Sequence, residues 1–115
     1  MAESIIQQRS FAFALEIIQL YRELQDRREY VLSKQLLRCG TSIGANVEEA
    51  SAGQSRADFV AKMAIASKEA RETRYWLRLL KESQLFDLDV SKYLQAADEL
   101  VRILTSIVKT TQESM

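Results

Sequence analysis

The sequence has no proline, no histidine, one cysteine and only three glycines among its 115 residues. Scarce proline and glycine leave few residues for tight turns and strand ends, whereas good helix formers dominate the composition. Without histidine, a nucleophilic serine or cysteine lacks its usual base, and a metal site in a helical bundle lacks one of its usual ligands. The single Cys39 cannot form an internal disulfide, and its helical context predicts a buried, inert thiol.

Neither charge nor hydrophobicity is extreme. Sixteen basic residues balance sixteen acidic ones, so no net charge draws the whole chain to nucleic acid or to an anionic membrane. The longest apolar run, Phe11 to Leu15, is too short to span a membrane and is poorly shaped for a secretory signal. We therefore expect a cytoplasmic protein without membrane contact, in which any nucleic-acid binding depends on a local patch.

Four segments show the periodicity of amphipathic helices, and short polar breaks separate them. The predicted helices cover about residues 3–27, 30–51, 56–83 and 90–111. Ser55 is the expected N-cap of the third helix, and Asp89 or Ser91 that of the fourth. Such helices favour an all-α fold, an antiparallel up-down-up-down four-helix bundle that forms a single domain over residues 1–115.

Each predicted helix carries one apolar stripe that we assign to the core. In chain order the stripes are Ile6, Phe13, Ile17, Leu20 and Leu24; Leu36, Cys39, Ile43, Val47 and Ala50; Phe59, Met63, Ala66, Ala70, Thr73, Leu77 and Leu80; and Tyr93, Ala97, Leu100, Leu104, Ile107 and Val108. Gly40 and Gly44 lie beside the second stripe and predict a close approach by a neighbouring element. The polar tail from Thr110 to Met115 is predicted to fray.

Two helices carry a second apolar stripe, away from the core stripe. Its members are Phe11, Leu15 and Ile18 on the first helix and Ile65, Trp76 and Leu79 on the third. Since a helix in a small bundle needs one apolar face, these residues indicate either a wide core contact or a subunit interface. We favour self-association with Trp76 as an anchor, because tryptophan is enriched among interface hot spots. The alternative places Trp76 at the end of the core of one subunit.

A polar stripe lies beside the core of the second helix. It consists of Gln35, Arg38, Ser42, Asn46 and Glu49. Serine and asparagine are mediocre helix formers, so their alignment suggests specific hydrogen bonds. A hydrogen-bond network between helices or subunits is one explanation, which we favour, and a bound ligand is the other.

A basic stripe on the third helix consists of Arg71, Arg74 and Arg78, with Lys81 at its edge. Residues 56–83 contain seven basic and four acidic residues, so this helix carries +3 and the rest of the chain −3. Guanidinium groups at helical spacing suit phosphate contacts, which bind nucleic acid without reading its sequence. The stripe therefore predicts either a nucleic-acid-binding surface or a solvated face in which glutamates pair with the arginines.

The sequence contains no catalytic or metal-binding constellation. Glu69 and Glu72 have the spacing of metal ligands, but Glu48 and Glu49 could add only further carboxylates to them. Ser42 lacks both a histidine base and a glycine-rich turn. We therefore predict no enzyme activity, no catalytic residue, no metal, no cofactor and no small-molecule substrate.

Several motifs are shared with a known family. They are Tyr30-x-Leu32, Gln35-Leu36, Arg38, Ser42-Ile43-Gly44-Ala45-Asn46-Val47-Glu48-Glu49-Ala50, Asp58-Phe59, Ile65-Ala66, Lys68-Glu69-Ala70 and Tyr75-Trp76-Leu77. With these motifs the chain resembles the bacterial 23S rRNA intervening-sequence protein family over essentially its whole length. The stretch Ser-Ile-x-x-Asn-x-x-Glu is the most specific part. The family often has a proline before the equivalent of Tyr30 and a glycine at the position of Ala50, and both differences concern turn geometry.

The resemblance implies an antiparallel four-helix bundle assembled as a ring-like homopentamer. Members of the family were first noted as reading frames within intervening sequences of 23S rRNA genes. A relative, the accessory protein of diversity-generating retroelements, is implicated in binding nucleic acid and a reverse transcriptase. We therefore expect a non-enzymatic homopentameric scaffold that associates with structured RNA or with a nucleic-acid-handling protein. The alternative is a protein-binding adaptor without nucleic-acid contact.

Overall fold

A computed structural model describes residues 4–115 of the chain. The four helices are α1 (Ile5–Asp26), α2 (Leu32–Ser51), α3 (Arg56–Ser83) and α4 (Ser91–Glu113), and residues 4–115 contain no strand. Each helix packs against the next along the chain, and α1 also packs against α4. This arrangement closes a bundle with principal dimensions of 46 × 24 × 21 Å.

Contacts between helices show that successive helices run antiparallel. In each contact, one residue lies in the first half of its helix and the other in the second half of its own. The pairs are Ser10 with Gly44, Arg38 with Glu72, and Asp98 with Arg74. The all-α four-helix fold predicted from the sequence is confirmed, and these contacts give the bundle its up-down-up-down order.

The apolar stripes assigned to the core face the interior. Every member of the first two stripes is buried, including Cys39. Phe59, Ile107 and Val108 are half-buried, and they pack against the core from the end of the bundle at which α3 begins and α4 ends. Within the described residues, no helix combines the length and the hydropathy that a membrane crossing requires.

Gly40 and Gly44 form the close contact between α1 and α2 that the sequence predicts. A Cβ atom on Gly40 would lie 2.8 Å from Cγ2 of Ile17, and one on Gly44 would lie 3.3 Å from the carbonyl oxygen of Ser10. The two glycines therefore let the helices approach more closely than a larger residue allows.

The first helix begins later than predicted. Its expected start at residue 3 lies outside the described residues, and α1 begins at Ile5. Ser4 is the N-cap, where its hydroxyl accepts the backbone N–H of Gln7 while the Gln7 side chain accepts the N–H of Ser4. This reciprocal capping box fixes the start of the helix, and the sequence analysis did not identify it.

The second helix begins at Leu32, two residues after the predicted start. The carboxylate of Glu29 accepts the backbone N–H groups of Val31, Leu32 and Ser33 at 3.1, 3.0 and 2.6 Å. These donors have no partner inside the helix, so the carboxylate defines where the helix can begin.

The third helix spans the predicted residues, and the hydroxyl of Ser55 accepts the backbone N–H of Asp58 at 3.1 Å. The fourth helix differs at its start, because Val90 occupies the N-cap position instead of Asp89 or Ser91. The carboxylate of Asp89 nevertheless accepts the N–H of Ser91 at 2.9 Å. Asp89, which precedes the N-cap residue by one position, therefore accepts a backbone N–H of the first turn in place of the N-cap side chain.

The prediction that the C-terminal tail frays is wrong. The fourth helix continues to Glu113, and the guanidinium of Arg56 donates to the carbonyl oxygen of Ser114 at 3.0 Å. A cation at this position stabilises the carbonyl end of a helix, which accounts for the longer α4.

Candidate nucleic-acid interface

The basic stripe of α3 lines a groove between α3 and α4, which we call the basic groove. Arg74, Arg78 and Lys81 border a cavity of about 330 Å³ in one part of this groove. Arg71 borders a second cavity of about 260 Å³ in the part nearer the start of α3. The four predicted cations therefore line two cavities between the same two helices, α3 and α4.

The fourth helix adds a cation that the sequence analysis missed. Lys109 lines the same cavity as Arg71, together with Thr105 and Gln112 of α4. These three α4 residues are spaced by four and three positions, which places them on one side of the helix. Spacing alone does not show which neighbouring helix that side faces, so only the structure brings Lys109 to the stripe.

Most cations of the basic groove have no acidic partner. Arg74 pairs with Asp98 across the groove at 3.4 Å. Within residues 4–115, Arg71, Arg78, Lys81 and Lys109 make no ion pair. Arg71 instead donates to the hydroxyl of Ser67 at 3.1 Å. Glu82 also lines the cavity of Arg78 and Lys81, but within residues 4–115 it forms no ion pair with them, so the charges of this face are only partly neutralised.

Arg38, in the polar stripe of α2, connects that helix to α3. Its guanidinium forms an ion pair with Glu72 and lies 3.6 Å from a carboxylate oxygen of Glu69. It also donates to the side chain of Gln35 at 3.3 Å. The indole N–H of Trp76 donates to Glu72 at 3.1 Å, so one carboxylate holds both the arginine and the tryptophan.

Within residues 4–115, no hydrogen bond or ion pair joins the other members of the polar stripe to α3. The side-chain amide of Asn46 donates to the carbonyl and hydroxyl oxygens of Ser42 at 2.9 and 3.1 Å, and Glu49 is exposed. The stripe is therefore two separate groups, one that crosses between helices and one that bonds within α2. The oxygen of Glu69 near Arg38 is buried and accepts no hydrogen bond within the described part of the chain.

One of the two predicted second apolar stripes lines a groove between α1 and α2, which we call the apolar groove. Phe11, Leu15 and Ile18 are 62%, 50% and 40% exposed. With Gly44 and Ala45 of α2 they border a cavity of about 300 Å³. Exposed apolar side chains of this size around one cavity are typical of a surface that another molecule covers.

The other second stripe lies on the α2–α3 face of the bundle, which we call the aromatic face. Ile65 is 40% exposed, whereas Trp76 and Leu79 are half-buried. Tyr75, which the sequence analysis did not single out, is 54% exposed and meets Trp76 edge-on with 5.4 Å between ring centres. Trp76 packs against the core with one part and leaves another part accessible. Both predicted roles of this residue are therefore compatible with its position.

Comparison with known proteins shows the family to which this bundle is related. A model of the family described as 23S rRNA-intervening sequence protein matches residues 2–106. The chain belongs to this family. The chain is also similar to a protein of unknown function from the S23 ribosomal protein family of Bacteroides thetaiotaomicron VPI-5482, known from its crystal structure. The two are 44% identical with a TM-score of 0.86, over 91% of this chain and 99% of the other. The search of curated proteins gave no significant match.

The family resemblance predicted from the motifs is thus confirmed. In this 23S rRNA-intervening sequence protein, many of the motif residues lie where α2 meets α3. Arg38, Glu69 and Trp76 belong to the cluster around Glu72, and Ser42 bonds to Asn46 within α2. Arg38, Glu69 and Trp76 thus help to hold α2 against α3, whereas Ser42 and Asn46 bond within α2. The basic groove lies on the other side of α3.

Cys39 carries the one thiol of the chain, and this thiol lies in the core. Burial raises the pKa of this thiol, and its Sγ donates weakly to the carbonyl oxygen of Leu36 at 3.8 Å. Both effects lower its nucleophilicity at neutral pH. Within residues 4–115, no group of three or more cysteine, aspartate or glutamate side chains is placed to hold a metal ion.

Proposed function

We propose that this protein is a non-enzymatic homopentameric scaffold that binds structured RNA through the basic groove. The observation that carries the proposal is a groove with five cations, four of which form no ion pair within residues 4–115, on a chain whose net charge is zero. Exposed arginine and lysine groups bind phosphates and release counterions, so such a groove binds nucleic acid in a salt-dependent manner.

The names of the relatives agree with this proposal. One is the 23S rRNA-intervening sequence protein family, and the other is an S23 ribosomal protein family member of unknown function. Neither name assigns an activity to this chain. The family resemblance supports an association with RNA, but it does not identify any residue of the basic groove as an RNA contact.

Self-association is supported by the two apolar surfaces. The apolar groove lies between α1 and α2, whereas the aromatic face lies along α2 and α3. If the apolar groove of one subunit contacts the aromatic face of the next, the contact is head-to-tail. A head-to-tail contact forms a closed ring when the rotation that relates neighbouring subunits divides evenly into a full turn. The number five comes from the family resemblance. A ring would repeat the basic groove five times, which strengthens a weak contact with one long RNA.

The experiment that tests RNA binding compares two triple variants with the same loss of charge. The first replaces Arg71, Arg74 and Arg78 with alanine. The control replaces Arg22, Lys34 and Lys68 with alanine. These three residues are exposed and lie outside the basic groove, and they make no ion pair within residues 4–115. Fluorescence anisotropy with a folded RNA hairpin should show weaker binding for the groove variant and nearly unchanged binding for the control.

Affinity should also fall as salt increases, with a slope that is smaller for the groove variant than for the wild type. Light scattering on all three proteins checks that assembly is unchanged. The proposal is overturned if the groove variant binds the hairpin as tightly as the wild type, or if both triple variants lose affinity equally.

A second function is favoured by the aromatic face. Tyrosine, tryptophan and arginine are enriched at protein interfaces. Here Tyr75 contacts Trp76, and Trp76 and Arg38 both bond to Glu72. We infer that a protein-binding adaptor would use this face. Its binding to a protein partner would be weakly affected by salt, and alanine replacement of the basic groove would leave it intact.

A further inference from the structure

We infer that Tyr75 stacks on an unpaired base of the RNA whose phosphates the basic groove binds. The inference rests on the proposed function and deepens it, because it adds a residue that contacts bases to cations that contact phosphates. It specifies an RNA with unpaired nucleotides, such as those in the loop of a hairpin. Three observations carry it: the position of Tyr75 between two arginines, the exposure of its ring, and the arginines' lack of ion pairs within residues 4–115.

Tyr75 lies on α3 between two cations of the basic groove. It follows Arg71 by four residues and precedes Arg78 by three, so all three lie on one side of the helix. The two arginines are about 10 Å apart along the helix axis, with Tyr75 between them. Since Arg71 and Arg78 each line a cavity of the groove and Tyr75 is exposed, the tyrosine lies at the outer edge of the groove.

The ring of Tyr75 is accessible to another flat ring. The residue is 54% exposed, and it meets Trp76 edge-on, with 70° between the ring planes. An edge-on contact covers at most one face of the tyrosine ring, so the other face can receive a base. Trp76 is itself held by the hydrogen bond from its indole N–H to Glu72. The contact therefore restrains the tyrosine ring and still leaves a surface for stacking.

The arginines beside Tyr75 can hold the phosphates of a stacked nucleotide. Neither of them makes an ion pair within residues 4–115. One nitrogen of Arg71 donates to the hydroxyl of Ser67, and the guanidinium has further N–H groups that can donate to a phosphate. Glu82 lies one turn beyond Arg78 and lines the same cavity, where its carboxylate repels a phosphate. We therefore expect the stronger phosphate contact at Arg71.

Exposed aromatic rings next to cations are a common means by which proteins bind unpaired nucleotides. The cations alone bind the backbone of any RNA, whereas the ring contributes only where a base is free to stack on it. Loss of one such stack weakens binding by about fivefold or more. An RNA with unpaired bases should therefore bind more tightly than an RNA with the same phosphates but no bases at the unpaired positions.

The experiment uses the whole protein and two labelled RNA hairpins with the same stem. One hairpin has a loop of unpaired adenosines, and in the other the loop nucleotides carry no base, so both have the same number of phosphates. Dissociation constants are measured for the wild type, Tyr75→Leu and Tyr75→Phe. Tyr30→Leu is the matched control, because Tyr30 is 48% exposed and lines neither cavity of the basic groove. Light scattering checks that all variants assemble like the wild type.

We expect the wild type and Tyr30→Leu to bind the adenosine loop about fivefold or more tightly than the loop without bases. Tyr75→Leu should lose this preference and keep its affinity for the loop without bases, since the change removes a ring and no charge. Tyr75→Phe should retain the preference, because the ring carries the stack and the hydroxyl does not. The dependence of affinity on salt should be the same for all four proteins.

The outcomes separate this inference from the proposed function. If the wild type binds neither hairpin in a salt-dependent manner, the proposed function fails and the inference fails with it. If the wild type binds both hairpins equally, or if Tyr75→Leu keeps the preference for the adenosine loop, phosphate binding stands and stacking on Tyr75 is overturned. Tyr75 would then be left to the protein contacts of the aromatic face.

Discussion

Arg28, which follows the C-cap residue of the first helix, adopts a backbone conformation that favours glycine. Its φ angle is 65°, in the left-handed region. The N–H of Arg28 donates to the carbonyl oxygen of Gln25, and the N–H of Glu29 donates to that of Leu24, both at 2.9 Å. These two bonds define a Schellman motif with Arg28 at the position where glycine is commonest. The side chain of Arg28 therefore costs conformational energy that glycine would not.

Arg28→Gly should raise the free energy of unfolding by about 1 kcal/mol, because glycine adopts this conformation without steric cost. Chemical denaturation measures the change. Arg27→Gly is the matched control, since Arg27 has a φ angle of −88° and gains nothing from glycine. In that control the free energy of unfolding should fall by about 0.5–1 kcal/mol, because glycine gives the unfolded chain greater backbone freedom. A destabilised Arg28→Gly protein would show that the arginine side chain outweighs the strain.

Gly40→Ala should destabilise the bundle by about 1–3 kcal/mol, although alanine is the better helix former. The new Cβ would lie 2.8 Å from Cγ2 of Ile17, a branched and fully buried side chain that cannot easily move. Thermal unfolding of Gly40→Ala, Ile17→Ala and the double variant tests the contact. The double variant should lose less stability than the sum of the losses in the two single variants. Strict additivity would mean that the two residues do not limit the approach of α1 to α2.

These two positions show what the sequence can reveal about single residues. Gly40 was predicted as a point of close approach because glycine in the middle of a helix is costly and needs a reason. The left-handed residues Arg28 and Gln84 could not be predicted, since the usual signal for such a position is glycine and neither residue provides it.

The start of the second helix depends on one carboxylate. Burial raises the pKa of Glu29, but the hydrogen bonds from the backbone N–H groups of Leu32, Ser33 and Val31 together outweigh it, and the pKa lies below its ordinary value of 4.5. A carboxylate whose pKa is lower in the folded state adds stability above the unfolded-state pKa. This stability is lost as the pH falls through the folded-state value.

Glu29→Ala should therefore cost about 1–2 kcal/mol at pH 7, the range of a strong N-cap. The difference from the wild type should shrink as the pH falls from 4.5 through the lowered pKa of Glu29. Urea denaturation at a series of pH values measures it. Glu23→Ala on the exposed side of α1 is the control, with an expected change of about 0.5 kcal/mol or less. A difference that stays constant down to pH 2 would show that the charge of Glu29 does not cap α2.

At the scale of helices, the sequence predicted what depends on one helix at a time. Apolar residues three and four apart located the core, and arginines at the same spacing located one wall of the basic groove. The opposite wall could not be predicted, because Lys109 and Asp98 become part of the groove only through the way α4 packs on α3. The division of the polar stripe has the same origin, since Arg38 forms an ion pair with α3 whereas Asn46 donates its hydrogen bonds within α2.

At the scale of the whole molecule, the apolar groove and the aromatic face are the two surfaces through which we propose that subunits meet. If the apolar groove of one subunit receives the aromatic face of the next, each surface is needed once per contact. If the apolar groove meets its own copy across a twofold axis, the aromatic face is not needed. Leu15 and Ile65 are exposed, so a charge at either position should spare the fold and disturb only the surface that contains it.

Leu15→Glu and Ile65→Glu should each reduce the assembly to single subunits, as measured by light scattering or native mass spectrometry. An equimolar mixture should form dimers and nothing larger, because each variant retains the surface that the other has lost. Glu16→Gln, next to Leu15 but pointing away from the apolar groove, is the control and should assemble like the wild type. If Ile65→Glu assembles normally while Leu15→Glu does not, subunits pair through the apolar groove alone and the ring is excluded. If both variants assemble fully, neither surface is the subunit contact, and the apolar groove and the aromatic face remain available to another protein.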